Sequence, residues 1–360
     1  MIENLNISIH PQLNQEHAAD FCNQFLSGDY PRFIFGRNEY AQSIAQEISV
    51  DGFIDDFTSE SEFFGKPIFK AENLPRNSRT VVAVVGRPFT ARQKLDAHGL
   101  INLDYFAFRK YSNLNILGVW DWDLFEADFK ANRMCYESIY AKFEDDVSRE
   151  ILNKLINFRL SSDLRCMAGF KDIQARQYFE YFLRLKTAGE SFVDVGCFDG
   201  YTTLEFVKRC PDYKNIFVFE PDPKNMGNVK SKLAHLNNIQ FLQLGLSDKN
   251  QTFRFSSNAQ ASRFNPTGDL EVEVAPFCEK VNDPISFLKM DIEGAELEAI
   301  RGARLAIEKH HPKLAISVYH RCSDVWKIPT EILSYRSDYK IYLRHYIEGI
   351  SETIMYFVPC

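Results

Sequence analysis

The stretch Phe192-Val-Asp-Val-Gly-Cys-Phe-Asp-Gly200, followed by Tyr201-Thr-Thr-Leu-Glu-Phe-Val207, decides how this chain reads. An apolar run ends in a carboxylate, two glycines follow, and a helical pattern begins. That order predicts a buried strand, a tight turn and a helix N-terminus. The glycines let the backbone approach a ligand closely, and the free N–H groups of the turn face it. A carboxylate such as Asp194 near the end of an apolar strand is costly unless it meets a partner. Beside a pyrophosphate it would repel, and beside a cationic ligand it would attract. The Gly-x-x-x-Gly spacing also differs from the Gly-x-Gly-x-x-Gly fingerprint of dinucleotide sites.

Downstream, the same device repeats. Asn215-Ile-Phe-Val-Phe-Glu220 is a second strand ending in an acid, 20 residues after Gly200. A carboxylate there would accept hydrogen bonds from both ribose hydroxyls of a nucleoside. Ile239–Gly245 reads as a third strand, whose exit residues Gln243, Leu244 and Ser247 would lie beside an adenine. Thr252–Phe255 and Leu270–Val274 read as a hairpin-like insertion near a substrate mouth, flanking Arg263 and Phe264. Ile285–Asp291 is the fourth strand, with Asp291 at its tip and Glu293 and Glu296 expected in the first turn of the next helix. Lys313–Tyr319 is the fifth, with His320 at its tip and Asp324 four residues on. Ile341–Tyr346 and Thr353–Val358 read as a closing antiparallel hairpin.

Acids at the mouths of Asp194, Glu220 and Asp291 make a negative pocket that favours a sulfonium. The cationic, nucleoside-bearing cofactor that fits is S-adenosyl-L-methionine. Its candidate contacts are Asp194, Gly196, Gly200, Glu220, Gln243, Leu244, Ser247 and Asp291.

Upstream, Arg32–Gly36, Gly52–Asp56, Gly65–Phe69, Thr80–Gly86 and Leu103–Phe108 read as strands, with helices at Glu39–Ile48 and about 89–98. Strand and helix alternate, which predicts a smaller parallel α/β layer. Glu137–Phe158 and Ile173–Leu185 read as helical connectors. Gln177 and Tyr178, shortly before the cofactor strand, read as packing residues first and as cofactor or substrate contacts second. The expected organisation is a lead-in at 1–29, a small Rossmann-like domain at 30–115, a helical connector at 116–188 and a cofactor domain at 189–360. The fold class is α/β.

The composition sets bounds. The 360 residues suggest two domains, and the 45% hydrophobic and 25% charged content is that of an ordinary globular protein. A net charge of -7 without a basic arm speaks against nucleic-acid partners. The eight cysteines form no C-x-x-C pair, as expected for reduced, cytoplasmic thiols. Cys197 reads as a small turn residue rather than a nucleophile. Neither a signal peptide nor a membrane-spanning run is expected. A homo-oligomer is compatible with this composition.

Two resemblances add to this reading. Ile34-Phe-Gly-Arg37, Gly52-Phe-Ile-Asp-Asp56 and Gly65-Lys-Pro-Ile68 resemble the front domain of some sugar acyltransferases. That implies a nucleotide-sugar pocket near Gly36, Asp55 and Gly86, or else a structural docking domain, which is the simpler reading. Phe-Val-Asp-Val-Gly-Cys-Phe-Asp-Gly, Phe-Glu-Pro-Asp-Pro, Leu-Gly-Leu-Ser-Asp and Phe-Leu-Lys-Met-Asp-Ile-Glu-Gly-Ala-Glu resemble the FkbM family of S-adenosylmethionine-dependent methyltransferases, over about residues 190–360. That resemblance implies a class I methyltransferase fold and O-methylation of a small-molecule or glycan acceptor, commonly a sugar.

Methyl transfer needs the acceptor oxygen aligned behind the methyl carbon and relieved of its proton. His320 is the first base candidate and Asp291 the second. Asp291, Glu293, His320 and Asp324 could instead hold Mg²⁺. His345 reads as structural or as a wall of the acceptor pocket. Two other classes stand beside the leading one: a non-catalytic scaffold in glycan assembly, and a nicotinamide-dependent sugar oxidoreductase using the front domain.

Overall fold

The computed structural model describes residues 15–255 and 270–360, so Arg263 and Phe264 lie outside the described residues. Short apolar runs bounded by glycines and acids become strands of two main sheets. The first sheet uses β1 (Arg32–Phe35), β2 (Gly52–Ile54), β3 (Glu62–Phe63), β4 (Lys66–Phe69), β5 (Arg79–Val82) and β6 (Ile101–Asp104). Its order is β3-β4-β2-β1-β5-β6, parallel except for the β3–β4 hairpin.

The second sheet carries the opening motif. β7 (Ser191–Val195) and β8 (Asn215–Phe219) are followed by β9 (Ile239–Leu242). A separate small sheet follows, made of β10 (Gly245–Leu246), β11 (Gln251–Phe255) and β12 (Leu270–Ala275). The main sheet continues with β13 (Phe287–Met290), β14 (Lys313–Ser317), β15 (Tyr339–His345) and β16 (Thr353–Pro359). Its order is β15-β16-β14-β13-β7-β8-β9. Five strands are parallel and the terminal hairpin is antiparallel. β7 and β13 pair at the point where strand order reverses, and ligands of open α/β sheets bind at the carboxyl ends of strands there.

β7 is buried along its whole length, as a strand covered by helices on both faces must be. Phe192 stacks on Phe206 and Phe287 at ring-centroid separations of 4.4 and 5.1 Å, anchoring the following helix (Tyr201–Arg209) to the sheet.

Four sequence expectations change. Ile173–Leu185 is not a helix but an irregular strap with short 3₁₀ turns at Gln174–Arg176 and Tyr181–Leu183. Tertiary hydrogen bonds outweigh its helical pattern: the Ile173 N–H donates to the Tyr346 carbonyl and the Tyr178 N–H to the Tyr356 hydroxyl. Glu137–Phe158 is two helices, Arg133–Lys142 and Asp146–Ser161, because Asp145 caps the second by accepting from the Ser148 N–H. Leu103–Phe108 turns helical after Asp104, whose side chain accepts from Ala107 N and caps Tyr105–Tyr111. Glu293 precedes its helix, which begins at Glu296; Glu293 and Gly294 take left-handed backbone at φ 57° and 96°.

Candidate functional site

The turn after β7 exists because of one close approach. Gly196 has φ +73°, and a Cβ there would sit 1.9 Å from the Asp291 carbonyl oxygen. No side chain fits, so glycine brings the ends of β7 and β13 together. Gly200, at φ +76°, precedes the helix Tyr201–Arg209.

Asp194 does not present its charge to an open cavity. It is fully buried, its Oδ2 accepts from the Thr203 hydroxyl at 2.7 Å, and Lys289 Nζ lies 3.2 Å from Oδ1. Lys289 stands opposite Asp194 in the β7–β13 register and also donates to the Gly196 carbonyl at 2.6 Å. Burial alone would lower the lysine's pKa, but Asp194 and Asp291 hold it above the ordinary value. Asp194 therefore braces the turn through a buried ion pair, and the sequence reading overlooked Lys289. The available signal was a lysine inside an otherwise apolar strand, the counterpart of the carboxylate it pairs with.

Glu220 follows β8 and is buried. Its Oε2 accepts from the Phe198 N–H and its Oε1 from the Asp222 N–H, both at 3.0 Å. Burial outweighs these bonds and raises its pKa. The carboxylate is thus pinned beside the glycine turn, with lone pairs left over for a ligand. Gln243 is exposed and Leu244 half-buried just past β9, whose Leu242 carbonyl accepts from Glu220 N. Ser247 is elsewhere: its N–H pairs with the Ala275 carbonyl in the small sheet, and Gln251 donates to its hydroxyl. It serves as a corner of that sheet.

At the β13 and β14 tips, Asp291 accepts from the Tyr178 hydroxyl at 2.6 Å and lies 3.5 Å from His320 Nε2. Glu293 lies 3.7 Å from the same nitrogen, and Glu296 lies 2.9 Å from Nδ1. Glu296 is fully buried and also accepts from Ile292 N. Burial works against charging His320, yet Glu296, Asp291 and Glu293 raise its pKa to about 10. Burial likewise opposes ionised Asp291, but His320, Lys289 and the Tyr178 hydrogen bond hold its pKa below the ordinary value.

This bears on the base role expected of His320. An imidazole held charged by these carboxylates would have no lone pair to offer at neutral pH. The expected Mg²⁺ set is not assembled either. Asp324 is turned to accept from Arg321 N, and Glu296 groups with Asp291 and His320 instead. Both imidazole nitrogens face carboxylates, which is an ion-paired clamp rather than a cage of oxygens around a hard cation.

Of these groups, Asp291 lines a cavity of about 330 Å³ at the carboxyl ends of β7 and β13. Gly196, Phe198 and Tyr201 line it from the turn and helix, Lys289 and Asp291 from β13 and its exit, Gln177 and Tyr178 from the strap, and Glu352 from the β15–β16 connection. Of the two sequence readings of the strap residues Gln177 and Tyr178, packing and ligand contact, their place in the cavity wall fits the second. Glu352 carried no sequence signal, since it is an acid in a turn. Cys197 is buried with its thiol pKa pushed far up by burial, Asp194 and Glu220, which bars it as a nucleophile. His345 is buried against Phe170 and bonded to Thr353, and burial drops its pKa to about 3.

A seven-stranded sheet of this order, with its cavity at the β7/β13 switch point, is that of a class I methyltransferase. Residues 194–340 match the family model of the methyltransferase FkbM domain. The chain is similar to the solved structure of methyltransferase FkbM from Methylobacillus flagellatus KT, with a TM-score of 0.73 and 23% identity. That likeness of fold covers 96% of this chain and 100% of the other. A curated relative, 2-O-methyltransferase NoeI of Sinorhizobium fredii, is 24% identical over 145 residues. The match spans 32% of this chain and 58% of that relative's length. Among the described residues no helix is long and apolar enough to cross a membrane.

Proposed function

We propose that this chain is an S-adenosyl-L-methionine-dependent O-methyltransferase that methylates a hydroxyl of a sugar in a glycan, polysaccharide or secondary metabolite. The observation that carries the reading is the acid-lined cavity at the switch point, walled by Gly196, Asp291 and Glu352 beside the glycine turn. The residues present fit the cofactor. Glu220, buried with both oxygens fixed by backbone N–H groups, would accept from ribose hydroxyls. Gln243 and Leu244 would border the adenine, and Asp291 would offset a positive charge. When bound, the cofactor supplies an electrophilic methyl group on a sulfonium.

The chain's own residues then bind and orient. The strap closes one side of the cavity through Gln177 and Tyr178. Phe198 and Tyr201, 61% and 51% exposed, present aromatic faces at its rim, suited to the apolar face of a sugar ring. The relative NoeI is a 2-O-methyltransferase, which favours a hydroxyl acceptor here.

Calorimetric titration with S-adenosylmethionine and S-adenosylhomocysteine tests the reading. Micromolar binding that Glu220→Gln weakens tenfold or more is expected. A well-folded protein that binds neither compound would refute it and favour the scaffold reading.

A further inference from the structure

We propose that Glu352 is the general base of this site, accepting the proton of the acceptor hydroxyl. This rests on the O-methyltransferase reading above. Three observations carry it.

The first is position. Glu352 lines the same cavity as Gly196 and Asp291, approaching from the turn that joins β15 to β16. The second is how it is held. Its backbone is left-handed at φ 62°, an uncommon conformation for a residue with a Cβ. The Tyr346 N–H bonds its carbonyl, and Gln177 Nε2 donates to Oε2 at 2.5 Å. Gln177 thus fixes one oxygen of a carboxylate that lines the cavity. Among the described residues, no Lys, Arg or His nitrogen pairs with it, so its lone pairs are not taken by a cation. The turn itself is anchored on the far side: Glu348 accepts from the Thr90 N–H at 2.9 Å, and Gly349 packs so tightly that a Cβ would lie 2.0 Å from the Val85 carbonyl oxygen. The loop after β5 and the helix Pro88–Ala97 thus hold the turn that carries the base.

The third observation is the contrast with its neighbours. The titratable groups that interact with Glu352 are Asp291 and Glu293 from the β13 exit, His320 and Tyr319 from the β14 exit, and Tyr178 from the strap, and Lys289 of β13 lines the same cavity. Burial first, and then Asp291, raise the Glu352 pKa to about 7, against the opposing effects of Gln177 and His320. His320 is held charged by its carboxylates and Asp291 is held ionised as its partner. A carboxyl near neutrality can be ionised to take a proton and still release it to water afterwards. Pairs of groups driven apart in this way mark acid and base roles.

The balance is simple. The acceptor O–H bond breaks and its proton goes to Glu352 Oε1. The oxygen's electron pair forms the new bond to the methyl carbon, and the sulfur keeps the pair of the bond that breaks. The proton then leaves to solvent.

The test uses the full chain and the variants Glu352→Gln and Glu352→Asp. Calorimetry with S-adenosylhomocysteine comes first. The wild type should bind, and its failure to bind would sink the methyltransferase reading and this proposal with it; the affinities of the two variants set the concentration at which turnover is compared under saturation. Labelled S-adenosylmethionine is then offered with methyl glycosides of hexoses, rhamnose and fucose. Where the wild type methylates one, Glu352→Gln should lose about 10²-fold or more in kcat, with Glu352→Asp in between. Glu352→Gln within threefold of wild type would overturn the assignment. Infrared titration of the S-adenosylhomocysteine complex decides independently of any acceptor. A carboxyl band absent in Glu352→Gln and titrating between about pH 6 and 8 supports the base, and one that titrates below pH 5 overturns it.

Discussion

Lys289→Met isolates the interaction on which the cofactor turn rests. Lys289 and Asp194 have side-chain exposures of 3% and 0%, and their charges stand 3.2 Å apart. The substitution keeps the apolar stem but removes the ammonium from Asp194, from the Val195 carbonyl at 3.2 Å and from the Gly196 carbonyl at 2.6 Å. Among the described residues the carboxylate then keeps only Thr203 as a hydrogen-bond donor, and at 0% exposure it cannot reach water. Breaking one side of a buried ion pair costs about 3–5 kcal/mol. With a urea dependence of about 3 kcal/mol per molar, the unfolding midpoint falls by about 1–1.7 M. Asp194→Asn combined with Lys289→Met removes both charges and should recover most of that loss, giving a coupling of about 2–3 kcal/mol in a double-mutant cycle. Equilibrium urea unfolding followed by circular dichroism measures all four proteins. A single-variant loss below about 1 kcal/mol, or losses that simply add, would refute the view that this pair holds the turn.

Other expectations concern the same site. Gly196→Ala forces a Cβ into the Asp291 carbonyl at a positive φ, so S-adenosylhomocysteine binding should vanish in calorimetry, with a lower melting temperature. His320 should show protons on both ring nitrogens at a pH of about 8 in nitrogen-resolved NMR; a neutral ring there would contradict the clamp. Its folded pKa of about 10 lies above the unfolded value of about 6.5, so its stabilisation is complete below 6.5 and is lost as pH rises through 10. His320→Gln should therefore flatten the stability profile across that window. Glu348→Ala removes the acceptor of Thr90 N at the first turn of the helix Pro88–Ala97 and should lower stability by about 0.5–2 kcal/mol in thermal unfolding.

How much of this was legible differs by residue. The strand-turn-helix of Phe192–Val207, the acid at the second strand tip and the closing hairpin were readable because each is a local pattern: an apolar run, a glycine that a turn requires, a period of two. Local periodicity also misled, since the helical spacing of Ile173–Leu185 lost to hydrogen bonds from Tyr346 and Tyr356, which lie more than 160 residues away. The acids at 194, 220 and 291 were visible as a set, but their roles were not.

By itself, then, the sequence determined the α/β class, the strand succession and the place of the glycine turn, because backbone preference and burial pattern act over neighbouring residues. Only the tertiary structure decided which charges meet. Strand register set Lys289 against Asp194, three carboxylates closed around His320, and a hairpin turn braced by Val85 and Thr90 brought Glu352 to the cavity. Protonation follows from those meetings and from the water they exclude, and neither is encoded in the spacing of residues along the chain.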